Sequence, residues 1–203
     1  MKTAQTIKER INRLPRGEVF TPAIFAGAGT RASIDQTLSR LCQKGEIARI
    51  GWGVYTVPKL SKFGVAVMPS PLKIAQKLVE NEGGAVEVHG AEAARMFGFT
   101  TQMPSQPTFA TTGASREISL GKMIIRLRHT AARKMALAGR PAGKALAALW
   151  YLGRGEVTPN TFAALKAKLP PEEFLALTNA KTIMPAWMNE ALRAFEGNGA
   201  AHG

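Results

Sequence analysis

The chain has one aspartate, one cysteine, three histidines and no long apolar run, and each scarcity closes off a chemistry. Nucleotidyl transfer and most phosphodiester cleavage hold divalent metals with clustered carboxylates, but Asp35 stands alone and no Asp-x-Asp or Glu-x-Lys occurs. There is no phosphate-cradling glycine loop, no Gly-x-Ser-x-Gly and no cysteine spaced to pair with a histidine. His89 and His129 have no Cys, His or carboxylate at ligand spacing. No catalytic residue, metal or cofactor is therefore expected. Glu87 with Glu117, on separate predicted strands, is the pair left for a nuclease-like alternative. Cys42 excludes a disulfide within the chain, and its place on an apolar stripe predicts a packed thiol. No run reaches transmembrane length and no apolar core follows the opening MKTAQTIKER, so a cytoplasmic protein without membrane contact is expected.

Positive charge is what the chain has in excess. Its 203 residues carry a net charge of +13 with 45% apolar residues, enough to bury a substantial core. The excess is +7 over residues 1–62, +4 over 63–135 and +2 over 136–203. A polyanionic partner follows, because neutralising phosphates releases condensed counterions and drives association.

The N-terminal part carries the clearest pattern. Lys2 to Leu14 reads as an amphipathic helix with Ile7, Ile11 and Leu14 on one face. Thr21-Pro22 predicts a capped helix start, and Gly27 and Gly29 break that helix. Thr30 is placed to cap a second helix whose Ile34, Leu38, Leu41 and Cys42 recur on one stripe. Lys44-Gly45 stops it, and strands over 46–50 and 53–57 flank a Gly51-Trp52-Gly53 tip. Two helices joined by a glycine turn and followed by a hairpin outline a winged helix-turn-helix over residues 1–62. Arg31, Ser33, Gln36 and Arg40, with Thr37 and Lys44 on the same helix, are the side-chain types that read base edges or grip phosphates in a major groove of double-stranded DNA. Trp52 at the tip, flanked by Arg49 and Lys59, completes the candidate DNA-binding set.

Beyond a connector at 58–63, residues 63–203 predict a second domain. Ser70-Pro71 starts a helix to about Asn81, with Ala75, Leu78 and Val79 inward. Runs at 85–88, 106–112, 117–120 and 123–129 predict a small antiparallel sheet within about 84–130, the last three as a meander, with a short helix over 90–97. Arg126 and Arg128 alternate with Ile125 and Leu127 and are read as a solvated face. Residues 143–151, 158–169 and 172–195 predict a helical subdomain at about 140–196, followed by a frayed tail from Gly197. The fold class is α+β. Met184, Trp187, Met188 and Phe195 lie on a broad apolar stripe, which is core by default and otherwise a partner surface.

Two stretches resemble one family. LSRLCQKGEIARIGWGVYTVP, residues 38–58, and GAEAARMFGFTTQMPSQPTFATTG, residues 90–113, are similar to the helix–wing segment and to the small-residue helix, Gly-Leu/Phe-Thr-Thr-Gln-x-Pro segment and strand of the AbiEi-like antitoxins of bacterial abortive-infection (type IV) toxin–antitoxin systems. Phe99 stands where leucine is commoner. The resemblance implies a non-enzymatic antitoxin that binds inverted repeats in its own promoter and represses the operon. Its larger C-terminal region would counter a nucleotidyltransferase-like toxin, with or without a direct complex. Another transcriptional regulator, or an accessory protein whose winged helix docks a protein, is the alternative.

Overall fold

The computed structural model describes residues 2–103, 105–121 and 123–200. Pro104, in the second resembling stretch, and the tail beyond residue 200 lie outside them. The chain divides into two compact units, residues 1–83 with 117–125, and residues 84–116 with 126–203. The boundary expected after residue 62 falls in the connector, and the contact division falls after Gly83.

The first unit begins with α1, Lys2–Asn12, and β1, Val19–Phe20. A 3₁₀ turn, Pro22–Phe25, follows, and then α2, Arg31–Gln43. The hairpin is β2, Ala48–Gly51, and β3, Val54–Thr56. The three strands are antiparallel in the order β1-β3-β2. One core joins α1, α2 and the strands through Ile7, Ile11, Phe20, Phe25, Ile34, Leu38 and Tyr55. Phe20 sits 5.9 Å edge-on to Phe25 and 5.8 Å stacked on Tyr55. Burying each large apolar side chain of this kind contributes about 1.5–3 kcal/mol. Thr30 caps α2 as the sequence predicts, its side chain accepting from Ser33 N. Thr21 does not cap the 3₁₀ turn; its hydroxyl accepts from Asn81 Nδ2 at 2.7 Å instead.

Ser70 caps α3, Pro71–Glu80, which buries Ile74, Ala75 and Val79 in the same unit. Lys73 ties it to β1's approach by an ion pair to Glu18 at 2.8 Å. Leu78, expected inward, is only half-buried. The hairpin segment 117–125 also belongs to this unit, and any side chain at Gly51 would meet Leu120.

The second unit opens with β4, Val86–Val88, and α4, Gly90–Met96. Next is β5, Thr108–Thr111, and then β6, Arg116–Leu120, and β7, Met123–His129, whose residues 117–125 count with the first unit. The expected antiparallel meander is not formed. The order is β4-β5-β7-β6, and β5 runs parallel to β7, with Phe109 opposite Leu127. The inner position goes to the more apolar strand: β7 buries Ile125 and Leu127, whereas β6 carries Arg116, Glu117 and Ser119 at the edge. Two strand spacings are about 9.6 Å, within reach of the four-residue β5–β6 connection. That connection is pinned to the end of β7: His129 N donates to Ser115 Oγ at 2.8 Å, and its ring Nδ1 lies 2.9 Å from Gly113 O.

Four helices complete this unit: α5, Pro141–Leu152; α6, Pro159–Lys168; α7, Pro171–Asn179; and α8, Ala186–Ala200. Helix α5 is central, burying Ala142, Ala145, Leu146, Ala148 and Leu149 nearly all round. Gly90 admits it closely, since a Cβ there would lie 2.9 Å from Ala147 O. Glu173 on α7 accepts from Ala142 N at 3.0 Å and pairs with Arg140 at 2.9 Å, and the backbone N–H, then the guanidinium, hold its carboxyl below the usual range. The single helix expected over 172–195 is broken into α7, a 3₁₀ turn and α8, because Pro185 removes a donor and Met184 before it is extended. Helix α8 continues through Gly197, where fraying is expected.

Candidate nucleic-acid interface

Helix α2 places its buried stripe on α1 and the sheet, so the opposite face is set by the 100° advance per residue. Gln36 and Arg40 are exposed there, and Ser39 and Gln43 share that face at i+3 and i+7 from Gln36. Ser39 and Gln43 are absent from the predicted set, although the spacing that identifies Gln36 and Arg40 also identifies them.

A groove of about 410 Å³ separates α2 from the β2–β3 hairpin, lined by Arg31, Asp35, Ser39 and Gln43 on the helix and Arg49, Trp52 and Tyr55 on the hairpin. Trp52 is 91% exposed at the tip. The Arg49 guanidinium lies 5.7 Å over its ring, and Arg49 Nε donates to Gly51 O at 3.3 Å. An exposed aromatic held by a cation presents a flat face beside positive charge. Cys42 and Tyr55 form the floor. Burial pushes the Cys42 thiol up and Arg49 only partly opposes this, so it is a packed, protonated group. Burial likewise raises the Tyr55 hydroxyl.

The predicted residues do not form one cluster. Arg31, Arg49 and Trp52 line the groove. Thr37, Arg40 and Lys44 line a cleft of about 770 Å³ on the other side, between α2 and α1, where Lys8 pairs with Glu46 at 3.3 Å. Ser33 Oγ donates to Thr30 O, and Thr37 Oγ1 donates to Ser33 O, so both hydroxyls are engaged along the helix. Lys59 is not at the hairpin tip. It lies past β3, its side chain against Gly17, because β3 runs from the tip back toward the α1–β1 turn, where Gly17 N donates to Val57 O.

Counted by unit, the net charge is +7 in the first and +6 in the second. Both units carry long acid-free stretches, since no acidic residue occurs between Glu46 and Glu80 or between Glu117 and Glu156.

The other candidate sites resolve locally. Glu87 is 3% exposed and its carboxylate accepts from Val88 N and Gly139 N, while Glu117 is exposed in the other unit. His89 caps α4, its Nδ1 accepting from Ala91 N, and burial, then Arg128, lower its pKa. A pocket of about 150 Å³ beside it is lined by Glu87, His89, Lys134, Trp150 and Tyr151. Among the described residues no group of three or more His, Cys, Asp or Glu could hold a metal ion, and no helix is long and apolar enough to cross a membrane. Met184 and Met188 are buried, Trp187 packs edge-on to Trp150 at 6.1 Å, and Phe195 packs on Phe162 and Phe174. The stripe thus packs into the helical core, the reading taken as its default.

Comparison with known proteins gives a family match over residues 6–176, to DUF6088, a family of unknown function. No curated protein matches. A crystal structure of the RV2827C protein from Mycobacterium tuberculosis is similar at a TM-score of 0.45 and 16% identity, covering 92% of this chain and 73% of that one.

Proposed function

We propose a function for a chain that belongs to DUF6088, a family of unknown function: it is a cytoplasmic DNA-binding autorepressor, and the antitoxin of a toxin–antitoxin pair. Residues of the first unit act as a winged helix-turn-helix, with α2 in the major groove and the β2–β3 hairpin as the wing. One observation carries the DNA half: Arg31, Arg49, Gln43 and the exposed Trp52 converge on one groove beside a recognition-type helix face. Arginine and glutamine make bidentate contacts to guanine and adenine, and the wing's cation–aromatic pair suits sugar and phosphate. The antitoxin half rests on the resemblance of residues 38–58 and 90–113 to the AbiEi-like family. In this reading the second unit opposes a nucleotidyltransferase-like toxin encoded beside it.

A reporter driven by the chain's own upstream region tests the reading. The wild-type chain represses it, and the Arg31→Ala/Arg40→Ala double variant relieves repression at equal abundance. An unrepressed reporter with wild-type chain overturns the autorepressor assignment. Coexpression with the neighbouring gene tests the antitoxin assignment, which fails if growth is not rescued.

Trp52, 91% exposed, also suits a protein contact, and this gives the second reading, a docking winged helix. Rescue that persists in the double variant but is lost in Trp52→Ala favours docking.

A further inference from the structure

Half of the exposed large apolar side chains among the described residues, Leu60, Phe63, Val65, Val67 and Met68, fall within nine consecutive residues. They are not a loose linker. Val67 N donates to Lys59 O and Ser61 N to Val65 O, both at 2.8 Å, and Leu60 bridges Ala66 antiparallel. The turn is fixed from inside, since Ser61 Oγ accepts from Phe63 N at 3.3 Å and Val65 N at 3.2 Å. This makes a small second hairpin over 59–67, following β3 directly. Successive residues alternate between faces, so the exposure of Leu60 on one face and Val65 and Val67 on the other leaves both sides uncovered. A two-stranded hairpin in this state is marginal alone, and a partner that covers it supplies what the unit does not.

Its tip repeats the wing. Phe63 is 79% exposed with Lys62 Nζ 4.9 Å over its ring, as Arg49 stands over the 91% exposed Trp52. Lys59 and Lys62 are its charges; the Lys59 side chain passes Gly17, and the carboxylate of adjoining Glu18 is paired with Lys73. Complementary charge therefore means an anionic partner. Basic residues combined with an apolar wedge are the equipment with which proteins enter and widen a minor groove.

We infer that the hairpin 59–67 is a second DNA-contacting arm, in which Lys59 and Lys62 take phosphates and Phe63 wedges against the minor-groove sugars or base edges. This rests on the reading of the first unit as DNA-binding. It gives Lys59 a role at a different place from the one its sequence position suggests.

The test uses the full chain, a fluorescently labelled duplex of its upstream region and a salt series. Lys59→Gln/Lys62→Gln is expected to reduce the slope of log affinity against log salt by about 1.8, two phosphate contacts' worth, and Lys59→Arg/Lys62→Arg to retain it. Phe63→Ala is expected to weaken binding about tenfold or more with the slope unchanged, and all variants to melt as wild type. Unchanged affinity and slope in the hairpin variants, while Arg40→Ala still weakens binding, overturns the arm and leaves the first reading standing. Failure of wild type to bind the duplex overturns both. Loss of binding to phosphatidylserine vesicles without loss of binding to DNA assigns the hairpin to lipid and overturns the inference.

Discussion

Arg31 Nε donates to Asp35 Oδ2 at 2.8 Å across one turn of α2, so the chain's one aspartate restrains a guanidinium that lines the groove between α2 and the β2–β3 hairpin. Both side chains are well exposed, at 71% and 46%, and such a pair contributes little to stability. On the DNA-binding reading proposed above its consequence falls on binding, because a carboxylate at the groove repels phosphate and occupies a donor. Asp35→Asn is expected to leave the melting temperature nearly unchanged, to tighten DNA binding and to steepen its salt slope by about 0.9. Fluorescence anisotropy across a salt series measures all but the first.

Gln36, Ser39, Arg40 and Gln43 form one outward face of α2, and they divide by what they can read. Gln43→Ala is expected to cost about 1–3 kcal/mol on the preferred operator and little on unrelated duplex, if its amide meets adenine. Lys44→Ala, at the helix end, is expected to weaken both alike and to reduce the salt slope by about 1. Competition binding against paired operator and scrambled duplexes separates the two.

Thr30 sets where α2 begins. Replacing its capping hydroxyl in Thr30→Ala is expected to cost about 1 kcal/mol of stability, read by urea unfolding. Arg31 and Ser33 stand in the first turn, so a frayed start is expected to weaken DNA binding as well.

His89 provides a pH test of the second unit. Burial, then Arg128, hold its folded pKa below the unfolded value of 6.5, and its Nδ1 accepts from Ala91 N in the neutral state. Glu87, Lys134 and Tyr151 line the pocket beside it. As pH falls below 6.5 the unfolded chain takes up a proton that the folded chain does not. Stability is therefore lost from that pH down to the folded pKa and levels off beneath it. His89→Asn, which keeps an N-cap acceptor, is expected to flatten this limb in urea midpoints measured at stepped pH.

Much of the first unit was legible because its signals are local. Thr30 caps where a hydroxyl precedes an apolar stripe, and the Gly51-Trp52-Gly53 turn forms where two short β runs meet. Thr21 misled because the same hydroxyl that can cap a helix can accept from Asn81, sixty residues on. The second sheet departs from the expected meander for a related reason. Turn spacing ties β5 to β6, yet which strand takes the inner place depends on burying Ile125 and Leu127, a tertiary preference. Of the candidate site, α2 was readable from its period, which also contained Ser39 and Gln43. Lys59 lies away from the tip because proximity in sequence to Trp52 says nothing of the direction in which β3 carries the chain.

The most direct measurement is the affinity of the full chain for a duplex of its own upstream region, against a scrambled duplex of equal length, titrated from low to physiological salt. The expected result is tighter binding to the upstream duplex at every salt concentration, with affinity falling linearly in log–log form and the preference reduced in Arg31→Ala/Arg40→Ala. Absence of binding to either duplex at low salt, or equal affinity for both, would contradict the autorepressor assignment.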